Sequence, residues 1–344
     1  MIRYLIFIFI LNSFLPSVEA QTVFHTADIS NFYEAFDSIQ TTSEKEKQLE
    51  FVQELYINRG SEGLKYTIRI NEQNGLTATS EDWLRMMHSS QEHFEKIRPF
   101  FSTLSNQMSV LEANFLKFKK LYPSFTDGNV YFIVGLGLFG GRPDGTDLYI
   151  GCELLASEKP NWAVNIVLHE YVHTLQKHSN NALLAHSLNE GACDFIAELI
   201  SGIPLREVYP NGYIDFGYKY EAEIWQEFKK YISSSEKGRF FDWLYGTKGK
   251  IISGQEMKDL GYFVGYKICK SYYDNAVDKT QAIKDIIEMD VSQDEFARAF
   301  LIASNYVPEK DRKFIENFKF AKLTEVKGSF KFKKITGTRL RIRR

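Results

Sequence analysis

The chain has 344 residues, 44% of them hydrophobic and 25% charged, an ordinary globular composition that suffices for one large domain or two moderate ones. Its formal net charge of −2 gives no electrostatic case for a nucleic-acid partner. Cys152, Cys193 and Cys269 permit at most one intramolecular disulfide, which excludes a disulfide scaffold and leaves stability to the core.

The chain opens on Met1-Ile2-Arg3, an apolar run from Tyr4 to Leu15, and Val18-Glu19-Ala20. This order reads as a secretory signal peptide cleaved after Ala20, and points to a secreted or periplasmic protein. At about a dozen residues, interrupted by Asn12 and Ser13 and followed by Pro16, the run is short for a bilayer, so no stable membrane insertion is expected after cleavage.

From Ala27 to about Arg59, Phe32, Phe36, Ile39, Leu49, Val52 and Leu55 recur at helical spacing and predict two helices, with a capping box at Ser43 to Glu46. Gly60 to Gly75, punctuated by Gly and Asn, is expected to contain a turn or loop. Helices are expected from Ser80 to Pro99 and from about Ser102 to Tyr122. Val130 to Gly135 reads as a strand, Leu136 to Gly145 as a glycine-rich loop, and Thr146 to Leu155 as a second strand carrying Glu153. The loop matches no phosphate-binding pattern. A hairpin or sheet edge is the expected reading, and such an edge can bind an extended peptide through backbone hydrogen bonds. Helices follow over Asn161–Lys177 and Ala182–Ile200. After a connection at Ile203–Tyr218, more are expected at Glu221–Tyr231, Gly254–Tyr273, Thr280–Glu288 and Ser292–Ala303. From Lys327 onward the tail has eight Lys and Arg and no acid, alternating at period two around Thr336-Gly337. It reads as a basic hairpin, either a solvated edge or a contact for an anionic surface.

The stretch NWAVNIVLHEYVHTLQK sets His169 and His173 four residues apart, one turn along the same helix face, where two imidazoles can converge on one metal ion. Glu170 follows the first histidine and can reach water bound to that metal. The pattern is H-E-x-x-H, and the uncharged Trp162 to Leu168 before it suit a buried helix. The metzincin continuation is absent, since Gln176 and Ser179 stand where Gly and His would be. A third protein ligand must therefore come from elsewhere, and Glu190 in Asn189-Glu190-Gly191-Ala192-Cys193-Asp194 is the candidate, seventeen residues on (190 − 173). That interval lets one helix end and a second return. Asp194, a further turn along, is placed to accept a hydrogen bond from a ligand histidine. Cys193 is either small packing or a soft ligand.

HEYVH followed by NEGACD resembles the gluzincin zinc peptidases, and EGACDFIAEL is similar to a bacterial group of predicted zinc-dependent proteases whose domain has no assigned function. The match covers about Val130 to Tyr266. The resemblance implies an α+β fold, predominantly helical, with a small mixed sheet beside the H-E-x-x-H helix. It implies Zn2+ on His169, His173 and Glu190, Glu170 as general base and Asp194 behind a ligand. Tyr262, in Tyr262-Phe263-Val264-Gly265, matches the Y-x-x-G tyrosine that stabilises the oxyanion in gluzincin aminopeptidases, with Tyr266 as its substitute. The G-x-M-E-N segment of those aminopeptidases is missing, and Glu153 is the only nearby acid that could mimic it.

The expected organisation is a signal peptide at 1–20, a helical region at 21–125, a catalytic region at 126–326 and a basic tail at 327–344. The expected function is an exported zinc metallopeptidase acting on a peptide or protein substrate through zinc-bound water activated by Glu170. The alternative is a non-catalytic envelope or extracellular binding protein that retains the fold. An intact Glu170 argues against it, since a structural metal site has no use for a base.

Overall fold

Apolar residues at helical spacing carry most of the chain into α-helix. The computed structural model describes residues 21–177, 182–235, 242–246 and 248–319, so the expected signal peptide and basic hairpin lie outside the described residues. Helix α1 (Ala27–Ile39) buries Ile29, Phe32, Phe36 and Ile39, and α2 (Lys45–Phe51) runs into a π-helical segment, Val52–Ile57. The capping box expected at Ser43–Glu46 does not form: the residue before α2 is Glu44, whose side chain makes no capping bond. One forms instead between Thr79 and Asp82 at the start of α4 (Ser80–Ser89).

Of Gly60–Gly75, expected to contain a turn or loop, only the ends turn, and the stretch between them is helix α3 (Glu62–Gln73). Its glycines had suggested a break, but Gly60 and Gly75 lie outside the helix, while Ser61 Oγ accepts the Gly63 N–H at 3.0 Å and caps it. Leu64, Tyr66, Thr67, Ile70 and Asn71 then form its buried side. Helices α5 (Gln91–Ile97) and α6 (Leu104–Leu121) complete the N-terminal half.

Four short strands form a mixed sheet in the order β1-β2-β4-β3, from β1 (Val23–His25), β2 (Asn129–Ile133), β3 (Gly141–Asp144) and β4 (Asp147–Gly151). β1 and β4 run parallel to β2, and β3 is antiparallel to β4. The glycine-rich loop thus contains the edge strand itself. Glu153 belongs to a single helical turn, α7 (Cys152–Leu155), rather than to a strand.

Helix α8 (Trp162–Leu175) lies against β3 and β4 on one face of the sheet, and α9 (Leu183–Ser201) packs on α8. After the short α10 (Leu205–Val208), helix α11 (Tyr213–Phe228) begins inside the connection expected at Ile203–Tyr218. A hairpin of β5 (Lys250–Ile252) and β6 (Gln255–Met257) precedes α12 (Leu260–Asn275), so the helix expected from Gly254 starts later. Helices α13 (Lys279–Glu288), α14 (Asp294–Ala303) and α15 (Glu309–Asn317) follow. The architecture is mostly helical with a small mixed sheet, hence α+β. One apolar cluster runs from Ile29 to Phe318 and continues across the boundary expected at 125/126. Among the described residues no helix is long and apolar enough to cross a membrane.

Helices α9 and α12 touch at backbone distance. A Cβ on Gly191 would lie 2.1 Å from Gly265 C and Tyr266 N, and one on Gly265 would lie 1.6 Å from the Ser187 carbonyl oxygen. These glycines let α12 come close enough to set its tyrosines over the residues that α8 and α9 present.

Candidate metal centre

Helical geometry alone puts His169 and His173 on one side of α8, and their rings lie 5.1 Å apart. The crossing of α8 and α9 brings Glu190 to the same point. Glu190 Oε2 is 3.4 Å from His169 Nε2 and 3.3 Å from His173 Nε2. Donors about 2.0–2.1 Å from a tetrahedral zinc stand roughly 3.3–3.4 Å from one another, so both spacings fit a metal held by these three side chains.

The far nitrogen of each ring is also engaged. His169 Nδ1 meets Asp194 Oδ1 at 2.9 Å, and Tyr213 donates its hydroxyl to Asp194 Oδ2 at 2.6 Å. His173 Nδ1 meets Gln176 Oε1 at 2.9 Å, while Gln176 Nε2 donates to the Asn189 carbonyl at 3.0 Å. Each ring thus presents Nε2 to Glu190, and with Nδ1–H held by these oxygens a metal between them would take the Nε2 lone pairs. The donor atoms of His169, His173 and Cys193 also lie within 4.8 Å of one another. Cys193 Sγ, however, is 3.3 Å from His173 Nδ1, on the side already held by Gln176, so the thiol and Glu190 stand at opposite nitrogens of the ring. Cys152, Cys193 and Cys269 are all buried free thiols.

Charge and burial work against each other here. Burial opposes the charged imidazoles, yet Asp194 and Glu190 hold the His169 pKa well above its ordinary value, and Glu190 raises that of His173. Burial also opposes the Glu190 carboxylate, but the two histidines overcome it and hold Glu190 far below the usual carboxylate range. For Glu170 burial prevails: its pKa is raised despite His169 and His173, with Glu190 and Asp194 adding to the rise. A carboxylate shifted upward is a better proton acceptor near neutral pH.

Glu170 points from α8 to the edge strand. A Cβ on Gly141 would stand 2.0 Å from Glu170 Cδ, so a larger residue at this position would push the carboxyl group from its place. Tyr262 lies over the site, its ring 6.2 Å from that of His169 and between those of Tyr213 and Tyr245, at 5.8 and 6.5 Å. Tyr266 is not brought there, because its hydroxyl donates at 2.8 Å to Glu198, two turns along α9 from Glu190. Glu153 is also elsewhere: its carboxylate is buried and accepts the N–H groups of Gly135 and Gly137, at 2.9 and 3.0 Å, fixing the loop that leads to β3. A residue so enclosed cannot reach a free amino terminus.

Four contributors had no sequence signal. Tyr213 lay in a stretch expected to be irregular, and Tyr245 precedes a short hairpin the periodicity did not reveal. Tyr245 OH lies 2.9 Å from His186 Nδ1 and hydrogen-bonds Glu190. Gln176 is one turn past His173, and Gly141 is one glycine among 22. No protein-family model matches the chain, nor does any curated protein or solved structure.

Proposed function

We propose that the chain is an exported zinc-dependent peptidase of gluzincin type. The observation that carries the reading is the meeting of His169 Nε2 and His173 Nε2 on one oxygen of Glu190, with Glu170 beside them at raised pKa. Export rests on the sequence of the first twenty residues.

His169, His173 and Glu190 would hold Zn2+, which supplies a Lewis acid and acidifies water bound to it. Asp194, steadied by Tyr213, keeps the His169 proton on Nδ1, and Gln176 does the same for His173. Glu170 accepts a proton from the attacking water as its oxygen bonds to the amide carbon. It then delivers that proton to the leaving nitrogen as the C–N bond breaks. Tyr262 faces the site and would donate to the oxyanion, where loss of one donor typically costs about 3 kcal/mol. β3, an outer strand of the sheet among the described residues, offers the peptide its unpaired side, and the Gly141 Cα faces Glu170.

Glu170→Gln keeps the shape of the side chain and removes the base. It should retain zinc and slow cleavage of a peptide library by at least roughly 100-fold. Full activity in that variant would sink the assignment of the base. His173→Ala should lose zinc, and an unchanged metal content by mass spectrometry would refute the ligand set.

A further inference from the structure

The edge strand has a second neighbour besides Glu170. A cleft of about 580 Å3 lies along β3, walled by Tyr66, Ile70 and Gln73 of α3 on one side and by Phe139, Gly141 and Arg142 on the other. Tyr66, Ile70 and Gln73 are spaced i, i+4, i+7, so one stripe of α3 overhangs the strand.

The register of β3 fixes which groups face this cleft. Gly151 N–H donates to the Gly140 carbonyl at 2.6 Å, and Gly141 pairs with Ile150. In an antiparallel ladder hydrogen-bonded and non-hydrogen-bonded pairs alternate, so Arg142 and Asp144 bond inward to β4 while Gly141 and Pro143 turn their backbone groups outward. Pro143, which has no N–H, is thus at an outward position, as expected on an edge. Gly141 is left as the residue of β3 with both a donor and an acceptor on the free edge.

Side chains alternate with the same period. The Gly141 Cα faces Glu170, whereas Arg142 faces α3 and its Nε donates to Tyr66 OH at 2.9 Å. Tyr66 in turn stacks on Tyr149 at 3.8 Å, and Arg69 lies over its ring at 5.1 Å. The Arg142 guanidinium is therefore held in place, and among the described residues no carboxylate pairs with it. A peptide bonded to Gly141 turns the side chain opposite Gly141 toward Glu170. The side chains on either side of that residue turn toward α3 and Arg142.

We propose that this cleft is a specificity pocket for an acidic side chain of an extended peptide, with Arg142 as its anion-binding residue. The peptide residue adjacent to the one paired with Gly141 places Asp or Glu on the two Nη groups, over Tyr66 and Phe139. Asp144, on the same face two residues along, disfavours a second acid there and limits the preference to one position. The inference rests on β3 being the substrate-binding edge.

The test is binding rather than turnover, with Glu170→Gln protein so that peptides stay intact. The probes are fluorescein-labelled alanine-based octapeptides carrying one Glu, one Lys or neither, moved through each position, and the readout is anisotropy. One register should bind the Glu peptide about threefold or more tighter than its Lys counterpart, since the exposed Arg142 attracts one charge and repels the other through solvent screening. Arg142→Gln should abolish the preference and Arg142→Glu should invert it in that register only. Equal affinity for Glu and Lys peptides in every register, or a Glu preference that survives both substitutions, overturns the pocket. Failure of the wild-type protein to cleave the same peptides overturns the peptidase reading instead, and the binding result stands apart from it. Both variants change an exposed side chain, so unfolding does not blur the result; matched circular dichroism spectra verify it.

Discussion

Alanine at Gly191 tests the helix crossing on which the metal centre depends. In an isolated helix interior this substitution favours the helix by about 1 kcal/mol, because alanine loses less backbone entropy. Here the new methyl carbon would stand 2.1 Å from Gly265 C and Tyr266 N, where ordinary contact begins at 3.4 Å, so α9 and α12 must separate by about 1.3 Å (3.4 − 2.1). The obstacle is backbone, which cannot rotate away as a side chain would. Overpacking a core costs about 1–3 kcal/mol, and a rigid clash belongs at the top of that range, so after the gain of about 1 kcal/mol in helix propensity a net destabilisation of about 2 kcal/mol is expected. Gly265→Ala, at 1.6 Å from the Ser187 carbonyl, should cost at least as much. With an m-value of about 3 kcal/mol/M, the urea midpoint should fall by about 0.7 M. Because Glu190 is the neighbouring residue, zinc affinity should fall by roughly tenfold or more, readable by chelator competition on the folded fraction. A Gly191→Ala protein as stable as the parent, or more stable, would show that the close crossing does not exist and that helix propensity governs.

Three other outcomes follow from the geometry. Asp194→Asn removes the anion that holds His169 Nδ1–H and should weaken zinc binding by roughly 10–100-fold in the same competition assay; unchanged affinity would remove Asp194 from any role behind the ligand. Gly141→Ala should leave the midpoint nearly unaltered, since the flexible Glu170 side chain can yield, yet lower kcat by roughly tenfold or more by displacing that carboxylate. The third concerns Glu153, whose pKa burial raises from 4.5 to about 7 despite its backbone hydrogen bonds. The folded state therefore keeps this proton to higher pH than the unfolded state. Its stabilising contribution is complete below about pH 4.5 and is lost as pH rises to about 7, a fall of about 3 kcal/mol at 1.36 kcal/mol per unit. Glu153→Gln should flatten that slope in urea titrations at pH 4.5, 6 and 7.5, and an identical slope in both proteins would contradict it.

What the sequence could state about this protein was whatever rests on short-range periodicity. His169, Glu170 and His173 are related by one turn of one helix, and so are Glu190 and Asp194, because 3.6 residues per turn decides which side chains share a face whatever surrounds them. The same local rule located α6, α8, α9, α13 and α14 to within a few residues. It failed where a cap or a long-range partner decides: Ser61 turned a glycine-flanked stretch into α3, and pairing with β4 made a strand of Gly141–Asp144. Only the tertiary structure decided that Tyr213 backs Asp194, that Gln176 and Cys193 share the Nδ1 side of His173, and that Tyr266 turns away to Glu198. Nor could the sequence place Gly141 against Glu170, or Arg142 on Tyr66 76 residues away. Such contacts join segments whose separation along the chain carries no period, so they arise only when the sheet, α3, α9 and α12 are packed together.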